Sequence, residues 1–162
     1  MASKMAITLY VNGTEHEIRV EPRKTLSDAL RGDCGLTGTN VGCEHGVCGA
    51  CTVLMDGAPV RSCLMFAVQA QGRKLRTVEG LAASPGNGGK LHALQQAFID
   101  EQAAQCGYCV TGIVMSAKAL LDVNPKPTRA EITAALRDNL CRCGTHARII
   151  RAVERAAAAM AA

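Results

Sequence analysis

Residues 42–53 read GCEHGVCGACTV, with Cys43, Cys48 and Cys51 packed into nine residues and Gly42, Gly46 and Gly49 between and around them. The spacing C-x4-C-x2-C admits a disulfide knot, a zinc site or a cradle for a larger iron–sulfur core. Cys63 follows after eleven more residues. That completes the C-x4-C-x2-C…C pattern of a plant-type [2Fe–2S] site. The chemistry fits: two irons need two thiolates each, glycines let the loop bend tightly around them, and the last ligand arrives from a nearby strand arm. Zinc sites favour two C-x2-C pairs or Cys/His pairs, and here only Cys48 and Cys51 form such a pair. A Rieske site needs two histidines, and His45 has no partner histidine in the second pair. No βαβ pattern surrounds Cys48-x2-Cys51, so a thioredoxin-like motif does not fit.

The chain has 162 residues, room for one ordinary domain or two small ones. It has nine cysteines, an odd number that suits a disulfide framework poorly. The N-terminus shows no apolar export region and no twin arginine, and no window is apolar enough to span a bilayer. A soluble cytoplasmic chain is expected, periplasmic only if exported with a partner, and the cytosol keeps thiols reduced. The formal net charge of +4 comes without a basic run, and there are only two Phe, two Tyr and no Trp. Nucleic-acid binding is not expected. Ala, Leu, Val and Ile must fill the cores.

The first eighty residues read as strands. Ile7, Leu9 and Val11 alternate with polar or small residues, Asn12-Gly13 signals a tight hairpin, and Ile18 and Val20 resume the period of two. Thr25 with Asp28 predicts a capped short helix ending by Gly32. Thr52–Met55 is predicted as a strand, Asp56-Gly57 as a turn, and Val60 onward as a return arm bearing Cys63. Gly80 to Gly89 is rich in breakers and reads as a linker. Beyond it the periodicity is helical: Leu91, Leu94, Ala97 and Phe98; then Ile113–Val123, stopped at Asn124-Pro125; then a helix opened by the Thr128/Glu131 capping box; then Ile149–Ala161. The predicted class is α+β, with a unit over 1–79, a linker over 80–90 and a helical unit over 91–162.

The helical half holds the second set. QCGYC supplies Cys106 and Cys109, and NLCRCGTH supplies Cys141 and Cys143. Two close pairs far apart in sequence converge if their helices pack side by side, each pair then holding one iron. By chemistry alone this set suits zinc or [2Fe–2S]. His146 stands at metal-like spacing after Cys143, although a solvated loop histidine explains it too. Cys34 is left over and reads as a small buried residue.

These motifs, in this order and spacing, resemble the iron–sulfur subunit of molybdenum hydroxylases, the xanthine oxidase family in its bacterial form with separate subunits. The resemblance covers roughly residues 5–158. It implies a β-grasp ferredoxin domain followed by a four-helix bundle, each with a [2Fe–2S] cluster. The ligands it implies are Cys43, Cys48, Cys51 and Cys63, and then Cys106, Cys109, Cys141 and Cys143. Gln105 matches a glutamine that contacts the pterin of the molybdenum cofactor, and Cys143 matches a ligand lying against that pterin. The run Cys109-Val-Thr-Gly departs from the commoner Pro-Gly entry to the next helix. Cys141-Arg-Cys-Gly-Thr145 replaces the commoner CRCTG, a variant resembling the branch acting on N-heteroaromatics or aldehydes. The implied partners are a large subunit with molybdopterin cytosine dinucleotide and an FAD subunit or cytochrome acceptor, in a hetero-oligomer such as a dimer of heterotrimers. The implied role is electron transfer, with no catalytic residue on this chain. A free-standing ferredoxin would leave the helical half unexplained and is usually acidic. A zinc-dependent adaptor would carry zinc without sulfide.

Overall fold

The computed structural model describes residues 3–82 and 90–161. Strands β1 (Met5–Val11) and β2 (Thr14–Val20) form a hairpin, with Val11 opposite Thr14 and Met5 opposite Val20. Asn12 and Gly13 carry φ of 54° and 87°, the type I′ turn whose twist matches that of the flanking strands. Asp56-Gly57 makes the same kind of turn, with φ of 51° and 86°, between β3 (Thr52–Met55) and β4 (Ala58–Arg61). Strand β5 (Lys74–Arg76) joins the two hairpins, parallel to β1 and antiparallel to β3, in the order β2-β1-β5-β3-β4.

One helical segment covers a face of this sheet. Thr25 caps it, its Oγ1 accepting from the Asp28 N–H at 3.1 Å. The segment is α1 (Leu26–Asp28) followed by a wider turn over Ala29–Asp33, one residue past the expected end at Gly32. Leu26, Ala29 and Leu30 are buried there against Ile7, Leu9, Val11, Val20 and Val53. Alternation along the strands thus becomes an aliphatic core, each large side chain contributing about 1.5–3 kcal/mol. This is the β-grasp arrangement, and the expected α+β class holds.

The run read as a linker from Gly80 begins inside a helical turn, α2 (Glu79–Ala82). Residues 83–89 of that run lie outside the described residues. The second half is helical: α3 (Ala93–Asp100), α4 (Val110–Val123), α5 (Arg129–Leu136) and α6 (His146–Met160). The Thr128/Glu131 capping box forms as expected. Leu91, expected on the first of these helices, precedes it, because His92 is the cap and its Nδ1 accepts from the Leu94 N–H at 3.1 Å. Helices α4 and α6 each start three residues earlier than their apolar pattern.

The two cores meet at β3. Val53 belongs to the sheet core, whereas Leu54, the next residue and so on the opposite face, packs with the helices. Leu54 lies there with Ile113, Val114, Leu121, Ile132 and Ile149. The first helical turns of α4 press on the cysteine loop that leads into β3. Gly112 makes this possible: a Cβ there would lie 2.1 Å from the Gly49 carbonyl oxygen. Among the described residues no helix is long and apolar enough to cross a membrane.

Candidate metal centres

The loop of residues 42–51 presents three thiols from a tight bend. The Cys43 sulfur accepts from the N–H groups of His45 and Cys48, both at 3.4 Å. These two donors, Cys48 first, hold the Cys43 thiol down at about 6. The Cys48 thiol also bonds to it. A side chain at Gly42 would fill the space beside Cys48, its Cβ 3.2 Å from the sulfur. Cys63 comes from a 3-10 turn (Ser62–Leu64) at the end of β4. Ser62 fastens that turn, its hydroxyl donating to the Cys51 carbonyl at 2.7 Å. Burial pushes the Cys63 thiol up to about 11, helped by its hydrogen bond to the Cys51 thiol and by that neighbour's charge.

The second set forms where the loop between α3 and α4 meets the loop before α6. Here the thiols pair across the two segments, not within them as the spacing suggests. Cys109 bonds to Cys141, and burial followed by that bond pushes it up to about 12. Burial works against the Cys141 thiolate too, but bonds from Thr145 and Cys109 outweigh it and bring it to about 7. The Thr145 Oγ1 lies 3.3 Å from the Cys141 sulfur. Cys106, held down by the Tyr108 N–H and then by the Cys143 thiol, pairs with Cys143. The geometric reason is that one turn of chain separates Cys106 from Cys109, whereas the packed loops bring each beside a thiol of the other segment.

Within each set the thiols act on one another most directly in twos: Cys43 with Cys48 and Cys51 with Cys63, then Cys106 with Cys143 and Cys109 with Cys141. Within a thiol–thiolate pair, a metal ion can replace the shared proton. Two thiolates per iron suits a [2Fe–2S] core, whereas structural zinc wants four donors on one ion. The donor set thus fits a two-iron core in each half.

The remaining candidates stand apart. His45 and His146 are exposed, His146 as the first residue of α6 and not in a loop. Gln105 and Cys106 are exposed beside half-buried Cys143. Cys34 packs against the sheet core, and burial, then the Asp33 charge, pushes its thiol up to about 11. An inert, protonated thiol is the result. Cys34→Ser is expected to leave iron content unchanged and to lower stability by about 1 kcal/mol. Loss of either cluster's signal in that variant would add Cys34 to the ligands.

Sequence reasoning missed the residues that lock the two loops together. Tyr108, between Cys106 and Cys109, donates its hydroxyl to the Val41 carbonyl at 2.7 Å. Its own carbonyl accepts from Asn40 Nδ2 at 2.9 Å. On the other side, three consecutive residues ahead of Cys141 each reach the first half. Arg61 Nη2 donates to the Asp138 carbonyl at 3.0 Å, Asn139 Nδ2 donates to Gly49 O at 3.2 Å, and the Leu140 N–H donates to Cys48 O at 2.9 Å. The one visible signal was the position of Tyr108, one of only two tyrosines in the chain.

Comparison with known proteins finds a [2Fe–2S]-binding family in each half of the chain. Residues 9–82 match the family of 2Fe-2S iron-sulfur cluster binding domains, and residues 77–154 match a [2Fe-2S] binding domain family. The chain is 51% identical over 152 residues to the nicotine 6-hydroxylase small subunit of Paenarthrobacter nicotinovorans, covering 94% of this chain and 89% of that one. It is 48% identical over 159 residues to the nicotinate dehydrogenase small FeS subunit of Eubacterium barkeri, covering 96% and 99%. The crystal structure of quinoline 2-oxidoreductase from Pseudomonas putida 86 superposes with a TM-score of 0.91 at 49% identity, covering 99% of this chain and 96% of that one.

Proposed function

Because this chain belongs to the small iron–sulfur subunits of the molybdenum hydroxylases, with a [2Fe–2S]-binding domain in each half, we propose that it is a two-station relay inside such a complex. Cys106, Cys109, Cys141 and Cys143 hold the cluster nearer the molybdenum subunit. Cys43, Cys48, Cys51 and Cys63 hold the cluster nearer the acceptor, an FAD subunit or an external carrier such as a cytochrome. The two clusters, when bound, each accept and release one electron at a time. The observation that carries this reading is the gathering of eight thiols into two fours whose loops are hydrogen-bonded directly to one another. A shuttling ferredoxin needs one such site, and a helical half with a second set has no purpose in it.

The chain's own residues do three things in this reading. The cysteines fix the metal positions, the N–H groups on Cys43 and the Thr145 hydroxyl on Cys141 favour the thiolate forms, and the crossing hydrogen bonds fix the spacing. The units fall over residues 1–79 and 91–162. Exposed Gln105, beside Cys106 and Cys143, meets the pterin of molybdopterin cytosine dinucleotide on the large subunit. The relatives named for nicotine, nicotinate and quinoline support an N-heteroaromatic compound as the substrate of the partner subunit.

The test is anaerobic stopped-flow reduction of the purified complex. Substrate is expected to bleach the visible absorption of both clusters, and an unbleached chain would contradict the relay. Gln105→Ala is expected to keep both clusters and slow that bleaching by about tenfold or more, as loss of an outer partner of a metal site does. An unchanged rate would remove Gln105 from the path.

A further inference from the structure

Asn139 is only 2% exposed and sits between the two candidate centres. Its Nδ2 donates to the Gly49 carbonyl at 3.2 Å. Its Oδ1 is buried with no hydrogen-bond partner among the described residues. An unsatisfied buried amide oxygen costs about 1–3 kcal/mol, so stability alone would favour an apolar residue here. Gly49 makes room for the amide: with φ at 72°, a Cβ on it would lie 2.4 Å from Asn139 Nδ2 and 2.6 Å from the Asp138 carbonyl oxygen. The Gly49 carbonyl also accepts from the Thr52 N–H at 3.2 Å and the Thr52 hydroxyl at 2.6 Å. Among the described residues, Asn139 is therefore the side chain that ties this crowded peptide of the Cys48–Cys51 bend to the chain entering Cys141. The adjacent Leu140 N–H donates to Cys48 O at 2.9 Å.

We propose that Asn139 is a positioning residue that sets the electronic coupling between the two clusters, by holding the Gly49–Ala50 peptide against the residues leading into Cys141. The proposal rests on the two-cluster reading above. The amide's positive end faces the bend that carries Cys48 and Cys51, and a reduced cluster is the more negative one. The donor reaches the Gly49 carbonyl and not a sulfur, so it acts on the cluster through the field of its dipole. Removing this donor therefore lowers the potential of the N-terminal cluster and loosens the register of the two loops.

The test compares the cluster-loaded full chain with Asn139→Leu, which keeps the branched shape but removes both the donor and the orphan oxygen. The readouts are iron content, the spin–spin splitting between the two reduced clusters, and their midpoint potentials in an EPR-monitored titration. Iron content is expected to stay at the parent value, the splitting to collapse, and the N-terminal potential to fall while the other stays. Unaltered splitting and potentials overturn the proposal, including where the unfolding temperature drops, since that marks a purely structural residue. Asn139→Ser, smaller and unable to reach Gly49, is measured in parallel. If Asn139→Leu fails to load, unchanged splitting in the serine variant overturns the proposal and collapsed splitting supports it. A parent chain with fewer than two clusters sinks the two-cluster reading, and this inference with it, before any variant is compared.

Discussion

Cys51→Ser is expected to halve the iron of the purified chain, from about four atoms to about two, and to abolish one of two EPR signals. Cys51 is 2% exposed, and its thiol acts directly on that of Cys63. A serine hydroxyl is far less acidic than a thiol and is a poor replacement for a thiolate on iron. The second centre should survive because its thiols come from loops anchored in a different core, the one built on Leu94, Phe98, Ile113, Val114, Ile132 and Ile149. Cluster binding is also folding free energy for the half that holds it. That half has a modest aliphatic core, so its melting should separate from that of the helical half and move to lower temperature. Iron and sulfide analysis with EPR checks the first part, and two-phase thermal unfolding the second. Retention of about four irons would remove Cys51 from the ligand set.

Gly112→Ala gives the second large effect, and its sign is diagnostic. By helix propensity alone, alanine inside α4 should stabilise the chain by about 1 kcal/mol. Packing predicts the reverse. The new Cβ would meet the Gly49 carbonyl oxygen at 2.1 Å, the Ala50 carbonyl oxygen at 2.8 Å and the Ala50 carbonyl carbon at 2.9 Å. All three are backbone atoms, so no side-chain rotation relieves the clash, and α4 must move away from the cysteine loop. Overpacking costs about 1–3 kcal/mol, and a backbone-on-backbone collision belongs at the upper end. At about 2–4 °C per kcal/mol for a chain near this size, the unfolding temperature should fall by about 6–12 °C. Thermal unfolding of the cluster-loaded chain measures this. A rise in unfolding temperature would show that the close approach of α4 and the loop is not what fixes Gly112.

Gly112 also shows where sequence reading stops. A glycine is a poor helix interior residue, so periodicity starts α4 at Ile113, whereas the helix runs Val110–Val123. The reason for the glycine lies 63 positions away in sequence, at Gly49. Local signals were legible because their physics is local: Asn12-Gly13 and Asp56-Gly57 reach positive φ cheaply, and Thr25 and Thr128 cap with their own hydroxyls. The two groups of four cysteines were legible from spacing and resemblance. The cross-segment pairing of Cys106 with Cys143 and Cys109 with Cys141 was not, because it depends on how two loops pack. The same holds for Arg61, Tyr108 and Asn139. Each side chain reaches a partner 67 to 90 residues away, and no periodicity or motif announces such a bond.

The most direct test of the two-station account is low-temperature EPR of the anaerobically purified, dithionite-reduced chain, with iron and acid-labile sulfide counted on the same sample. Two distinct spin-half signals and about four irons with about four sulfides per chain are expected. One signal with about two irons, or zinc without sulfide, would contradict the two-station relay.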